Sequence, residues 1–251
     1  MRRSPSQSRH SITALPVFNE VGHVAEVLAE VCRFSSAVLV IDDGSTDGTD
    51  QLLKEIEGIE LIRHASNRGY GAALRSAFAY AQKHQYEVVV TVDCDGQHEP
   101  ARIPALITAC ESADIVSGSR YLEEFPDDIE APQARRDINQ RVTAELNSRL
   151  GLQLTDAFCG FKAYRVAALK KLRLTEDGYG MPLELWAEAA KAQLSIHEIS
   201  VPLIYLDESR SFGGALDDSV TRLKYYHQVL DRAIARTDEG RTCSACGDSA
   251  G

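Results

Sequence analysis

The chain has 251 residues, enough for one domain of ordinary size with a full hydrophobic core. A formal net charge of −10 argues against nucleic acid as a bulk partner and against general adhesion to anionic lipid. Met1 to Ser11 is Arg- and Ser-rich without the apolar stretch of a signal peptide, and no apolar run approaches the roughly 20 residues of a membrane span, so a soluble, cytoplasmic chain is expected.

Taken in chain order, the first half alternates strand-like and helix-like segments. Ile12 to Val17 is short, apolar and stopped by Asn19-Glu20, and Val24 to Val31 has helical spacing. Ala37 to Ile41 is a second β-rich run, closed by Asp42-Asp43-Gly44-Ser45, with a helix over Gln51 to Ile56. Ile59 to Arg63 is a third strand, Ala72 to Lys83 an alanine-rich helix, and Glu87 to Val92 a fourth strand. Pro104 to Cys110 reads as a helix and Ile115 to Ser117 as a further strand. Strands apolar on both faces, alternating with helices, describe a mainly parallel sheet covered on each side.

The second half reads differently. Asp137 to Leu150 is a polar amphipathic helix, Phe158 to Tyr164 an aromatic strand or turn, and Pro182 to Ala192 a helix. Ile196 to Tyr205 is strand-like, and Pro202 inside it demotes it to an edge or bulged strand. Arg222 to Ile234 is a final helix, after which small and charged residues predict a tail over 236–251, matching one over 1–10. Cys32, Cys94, Cys110 and Cys159 read as reduced thiols, and Cys243-Ser244-Ala245-Cys246 lacks the further ligands of a zinc site.

Ligands of parallel sheets bind beyond the carboxyl ends of the strands. Here those ends carry Asn19-Glu20, Asp42-Asp43, His64 with Asn67-Arg68, and Asp93-Cys94-Asp95. If strand geometry persists past Val92, Asp93 and Asp95 face the same way. Convergent carboxylates suit a hard cation such as Mg²⁺ or Mn²⁺, with diphosphate oxygens completing its shell. Asp42 and Asp43 have a second reading, in which they close the turn into the next helix with Ser45 or Asp47 as its N-cap.

In order and spacing, several segments together resemble the inverting GT-A glycosyltransferases of family 2, and within them the dolichol-phosphate and polyprenyl-phosphate mannosyl- or glucosyl-synthases. The segments are Pro16 to Glu20, Val40 to Thr49, Asn67 to Gly71, Asp93 to Pro100, Gly118 to Tyr121, Gly160 to Ala163 and Glu198 to Pro202. The resemblance implies one α/β GT-A domain over 11–235, with a Rossmann-like, mixed but mainly parallel sheet flanked by helices. It implies a nucleotide-sugar donor of the GDP-mannose or UDP-glucose type held by Pro16, Phe18, Glu20, Ile41, Asp42, Asp43, Asn67, Arg68, Asp93 and Cys94. Mg²⁺ or Mn²⁺ would sit on Asp95 first, with Asp93 and Gln97, while His98 is read as a loop residue. Asp93, Asp95 and Arg120 are the expected catalytic residues.

The implied acceptor is a polyprenyl phosphate met at the cytoplasmic face of a membrane, its phosphate gripped by Arg120, Arg136 and Arg210, with Arg135 in the same loops. A hydroxyl acceptor would instead need a carboxylate base, for which Asp156 and Glu184 are the candidates. One departure counts against the polyprenyl acceptor: where such synthases carry Gly-x-Ser-Lys, this chain reads Ser211 to Asp218 without a lysine. A nucleotidyltransferase is disfavoured because Pro16 to Gly22 has no basic residue, and a non-catalytic sugar-nucleotide module because Asp93, Asp95 and Gln97 are all present.

Overall fold

Period-two alternation along the strands sends side chains into a separate apolar layer on each face of the sheet. Ile12, Ala14, Leu39, Ile41, Val89 and Ile115 enter one layer, and Leu15, Val17, Val38, Val40, Val88, Val90 and Val116 the other. The computed structural model describes residues 10–126, 128–129, 132–204 and 214–244, with side chains through Arg236. The strands are β1 (Ser11–Val17), β2 (Val38–Asp42), β3 (Glu60–Arg63), β4 (Val88–Thr91), β5 (Ile115–Ser119), β6 (Lys162–Arg165) and β7 (Ile196–Ser200). They form one sheet in the order β3-β2-β1-β4-β6-β5-β7. Every pairing is parallel except those of β6, which runs antiparallel to both β4 and β5.

Helices α1 (Val24–Phe34), α2 (Thr49–Glu55) and α4 (Ile103–Ala109) cover one face through Val24, Leu28, Val31, Leu53, Ile103 and Leu106. The other face takes α3 (Tyr70–Lys83), α5 (Gln133–Leu150), α6 (Val166–Leu169), α7 (Met181–Lys191) and α8 (Ser219–Ser244). Alanines at 73, 77 and 81 bring α3 close to the sheet, and Trp186 of α7 is fully buried with its indole N–H donated to the Ala157 carbonyl at 2.9 Å.

Several boundaries differ from the sequence reading. Strand β4 ends at Thr91, so Asp93 and Asp95 lie in a turn rather than on an extended strand. Strand β7 sits at the sheet edge, as Pro202 suggested, but stops at Ser200, before the proline that cannot donate to a ladder. Helix α5 starts at Gln133, just after Pro132, and α8 continues to Ser244 into the expected tail. Cys246 and Arg210 lie outside the described residues, and no helix among the described residues is long and apolar enough to cross a membrane.

Glu184, one of the two candidate bases, belongs to this scaffold. Its buried carboxylate accepts the N–H groups of Thr175 and Glu176, at 2.8 and 2.7 Å, and the Thr175 hydroxyl, and it pairs with Arg236 of α8. Burial works to raise its pKa, but these donors outweigh burial and hold it below the usual glutamate range. It is not among the residues lining the main cleft. Glu184→Ala should therefore cost about 2–4 kcal/mol of unfolding free energy in urea, by stranding two buried backbone donors. The half-exposed Arg236 adds little to that figure. Because the folded pKa is depressed, the carboxylate's contribution is full above the unfolded value of about 4.3 and is lost as pH falls through the lower folded value. Wild type and Glu184→Ala should thus converge in stability on acidification; a constant gap down to low pH would contradict this role.

Candidate active site

The carboxyl ends of β1, β2 and β4 open together into a cleft of about 740 Å³. The β1 end contributes Pro16, Val17, the half-exposed ring of Phe18, Asn19 and Glu20. The loops after β1 and β2 are laced to each other: Asn19 N–H donates to Ser45 Oγ, Thr46 N–H to Asn19 Oδ1, and Glu20 N–H to Thr49 Oγ1, each at 2.9 Å.

The two aspartates after β2 divide the work. Asp42 is fully buried, accepts Ser45 N–H at 2.9 Å, pairs with Arg63 Nε at 3.1 Å and does not line the cleft. Asp43 does line it, while its carboxylate accepts the backbone N–H groups of Arg68 and Gly69 and meets His64 Nδ1 at 2.5 Å. Arg68 thus serves through its backbone, and its side chain is exposed outside the cleft. Ile41 points into the core rather than toward a ligand. Helix α2 starts after Gly48, with Asp47 accepting Thr49 N–H at 3.0 Å.

Asp93, Cys94, Asp95 and Gln97 all line the cleft. Asp95 Oδ1 accepts Gln97 N–H at 3.0 Å, which fixes the turn, and Gly96 takes the φ of 71° that the turn requires. Asp93 accepts the Tyr70 hydroxyl at 3.0 Å and has His98 Nε2 at 3.5 Å. Burial tends to raise the Asp93 carboxyl, but His98 and Tyr70 outweigh it and hold it below the usual range. His98 lies in the loop after β4, as read, with its side chain buried and packed on Phe161. Gly160 completes the seat: any Cβ there would run into the Asp93 carboxylate. Among the described residues no three His, Cys, Asp or Glu side chains form a metal-ligand cluster. The oxygen donors of Asp93, Asp95 and Gln97 still match the chemistry of a hard cation that takes the rest of its shell from phosphate and water.

Arg120, Arg135 and Arg222 line the same cleft, and Arg222 Nη1 donates to the Leu216 carbonyl at 2.7 Å. Arg136 is not among them; it donates to Gln133 of its own helix at 2.6 Å. Arg120 forks onto Asp156, with Nε–Oδ2 at 2.7 Å and Nη2–Oδ1 at 3.0 Å. Asp156 also accepts Asn139 Nδ2 at 2.8 Å and the N–H groups of Phe158 and Cys159. Burial works against its charge, yet Arg120 and Asn139 outweigh that and hold Asp156 far below the usual carboxylate range. A fully buried carboxylate so engaged is a poor proton acceptor, which corrects its reading as a base.

Tyr70, Tyr179, Tyr226 and Arg222 line the cleft without a role in the sequence reading. Tyr70 lies within the Asn67 to Gly71 segment, and Gly178 and Gly180 on either side of Tyr179 are a usable signal. Arg222 and Tyr226, on an amphipathic helix, carried none.

Asp156→Asn separates the anchor from the base. As an anchor, its loss leaves the Arg120 charge without its partner and should lower unfolding free energy by about 3 kcal/mol, the low end for a broken buried pair because Arg120 keeps some exposure. An unchanged urea midpoint with abolished turnover would restore the base.

Residues 13–173 match the family described as "Glycosyl transferase family 2". The chain is 29% identical over 223 residues to an undecaprenyl-phosphate mannosyltransferase of Micrococcus luteus, covering 84% of this chain and 91% of that protein. It is 29% identical over 207 residues to a polyprenol monophosphomannose synthase of Mycolicibacterium smegmatis, covering 77% of each. Among solved structures, glucosyl-3-phosphoglycerate synthase from Mycobacterium tuberculosis, in complex with Mn²⁺, UDP and glucosyl-3-phosphoglycerate, superimposes with a TM-score of 0.71 at 17% identity, over 94% of this chain and 86% of that one. The sheet order, the cleft at the strand ends and a family match over more than half the chain agree: this protein belongs to glycosyl transferase family 2 and is a glycosyltransferase of the GT-A fold.

Proposed function

We propose that this enzyme transfers a hexose from a nucleotide sugar to a polyprenyl phosphate, with inversion and with Mg²⁺ or Mn²⁺. The observation that carries this reading is that Asp93 and Asp95 share one cleft with Arg120, Arg135 and Arg222, while both candidate bases are committed elsewhere. A phosphate acceptor is already anionic and needs no base. Its oxygen attacks the anomeric carbon, the bond from that carbon to the diphosphate oxygen breaks, and the nucleoside diphosphate leaves with the electron pair. Guanidinium charge suits the incoming phosphate, while the Nε/Nη2 fork of Arg120 is already on Asp156. The relatives named for undecaprenyl phosphate and polyprenol monophosphomannose support the lipid acceptor.

Asp43, Asn67 and the Pro16–Glu20 segment would hold the nucleotide, and Asp93 the ribose or sugar hydroxyls. Asp95 and Gln97 would hold the cation, which, when bound, neutralises the charge that builds on the diphosphate. Seating of Asp93 depends on Gly160, since no side chain fits between them.

Incubation with labelled GDP-mannose or UDP-glucose, Mn²⁺ and undecaprenyl phosphate should carry label into the organic phase. Label transferred only to hydroxyl acceptors would overturn the phosphate reading. Asp95→Ala should lower kcat about 100-fold or more with the unfolding midpoint retained, and EDTA should abolish transfer by wild type. Gly160→Ala should also cost about 100-fold by shifting the Asp93 carboxylate. Full activity in EDTA would exclude the metal.

A further inference from the structure

The loop before α7 carries one large side chain into the cleft, Tyr179, and the fold holds that loop from both sides. On the α3 side, a Cβ on Gly69 or Gly71 would strike the backbone of Glu176 and Asp177, and Ala72 N–H donates to the Asp177 carbonyl at 3.1 Å. On the α8 side, Gly178 and Gly180 lie too close to Tyr225 and Val229 to carry side chains, and Gly180 N–H donates to Tyr225 Oη at 3.1 Å. The Tyr225 hydroxyl in turn donates to Glu176 at 2.6 Å. Glycines thus let two helices close on the loop, and Tyr179 is delivered as a fixed group.

Its ring stacks on Tyr70, with centroids 5.9 Å apart and planes at 18°, and Tyr70 holds Asp93 through its hydroxyl. Tyr179 remains 39% exposed while lining the cleft. A rigidly held aromatic ring in a polar cleft offers an apolar platform beside fixed hydrogen-bonding groups, the arrangement that orients an amphipathic ligand.

We propose that Tyr179, backed by Tyr70, is the platform on which the hexose of the donor lies, its C–H face against the ring and its hydroxyls toward Asp93. This rests on the nucleotide-sugar reading above. The hexose is favoured over the base because the partner ring touches Asp93, at the β4 end, whereas the nucleotide segments lie at the β1 and β2 ends.

The test is calorimetric binding of UDP-glucose and GDP-mannose, and of UDP and GDP, all with Mn²⁺, to wild type, Tyr179→Ala, Tyr179→Leu and Tyr179→Phe. For the nucleotide sugar that wild type binds, Tyr179→Ala and Tyr179→Leu should weaken affinity roughly fivefold to tenfold, and Tyr179→Phe should restore it. Affinity for the matching nucleoside diphosphate should not change. Equal weakening of sugar nucleotide and diphosphate would make the ring a base platform and overturn the proposal. So would unchanged affinity in Tyr179→Ala, or failure of Tyr179→Phe to recover. If wild type binds the diphosphates but neither sugar nucleotide, the donor reading itself falls and this proposal with it. Unfolding midpoints of all variants, at a half-exposed position, check that the fold is kept.

Discussion

The buried carboxylate of Asp156 is the point on which the cleft depends. It gathers the Arg120 fork from the end of β5, the Asn139 amide from α5, and the N–H groups of Phe158 and Cys159 from its own loop. Glu198 of β7 holds the same loop from outside, accepting Thr155 N–H at 2.8 Å and Asp156 N–H at 3.1 Å. That loop leads directly to Gly160, against which Asp93 is seated. A buried pair of this kind need not add net stability relative to an apolar packing, but removing either partner is costly. Its effect is positional: an arginine held by a fork at its back faces a ligand in one orientation rather than many.

A second constraint is close approach. Gly160 beside Asp93, and Gly69 and Gly71 beside the Glu176–Asp177 backbone, mark places where the chain meets itself with no room for a side chain. Gly44 is of the same kind, with its positive φ of 77° and the Ser66–Asn67 backbone against it. Each brings a polar group of one loop onto the scaffold of another. The strand-end loops therefore form one connected surface rather than independent flexible segments.

Much of this was legible in the sequence. The β-branched runs, the punctuating Asp-Gly and Asn-Arg-Gly segments and the alanine-rich α3 placed the strands and helices of the first half to within a few residues, because local pattern and tertiary burial agree there. Roles were less legible than places. Asp42 and Asp43 are adjacent and chemically identical, yet one is buried under Arg63 and the other opens on the cleft, since consecutive residues at a strand end point to opposite sides. Asp156 and Glu184 are open in the sequence between a base and a structural role, because Arg120 and Asn139 for one and Arg236 for the other reach them only in the fold. His98 lies in the loop expected of it, but its burial against Phe161 was not legible, because the two are 63 residues apart in sequence.

The family match ends at residue 173, whereas Tyr179, Arg222 and Tyr226 lie beyond it and line the cleft. The matched region supplies the β1, β2 and β4 ends with their carboxylates, and Arg120 and Arg135 as well. Helix α8 lines the same cleft. Its Tyr225 fixes the loop that carries Tyr179, its Arg236 reaches Glu184, and its Arg222 and Tyr226 face inward. Burial holds the Tyr226 phenol up at about 12, against the pull of Arg222 and Arg135, so at neutral pH it stays uncharged beside two fixed cations. The cleft is thus completed by residues of a late helix that lies outside the matched region and whose sequence carries no motif.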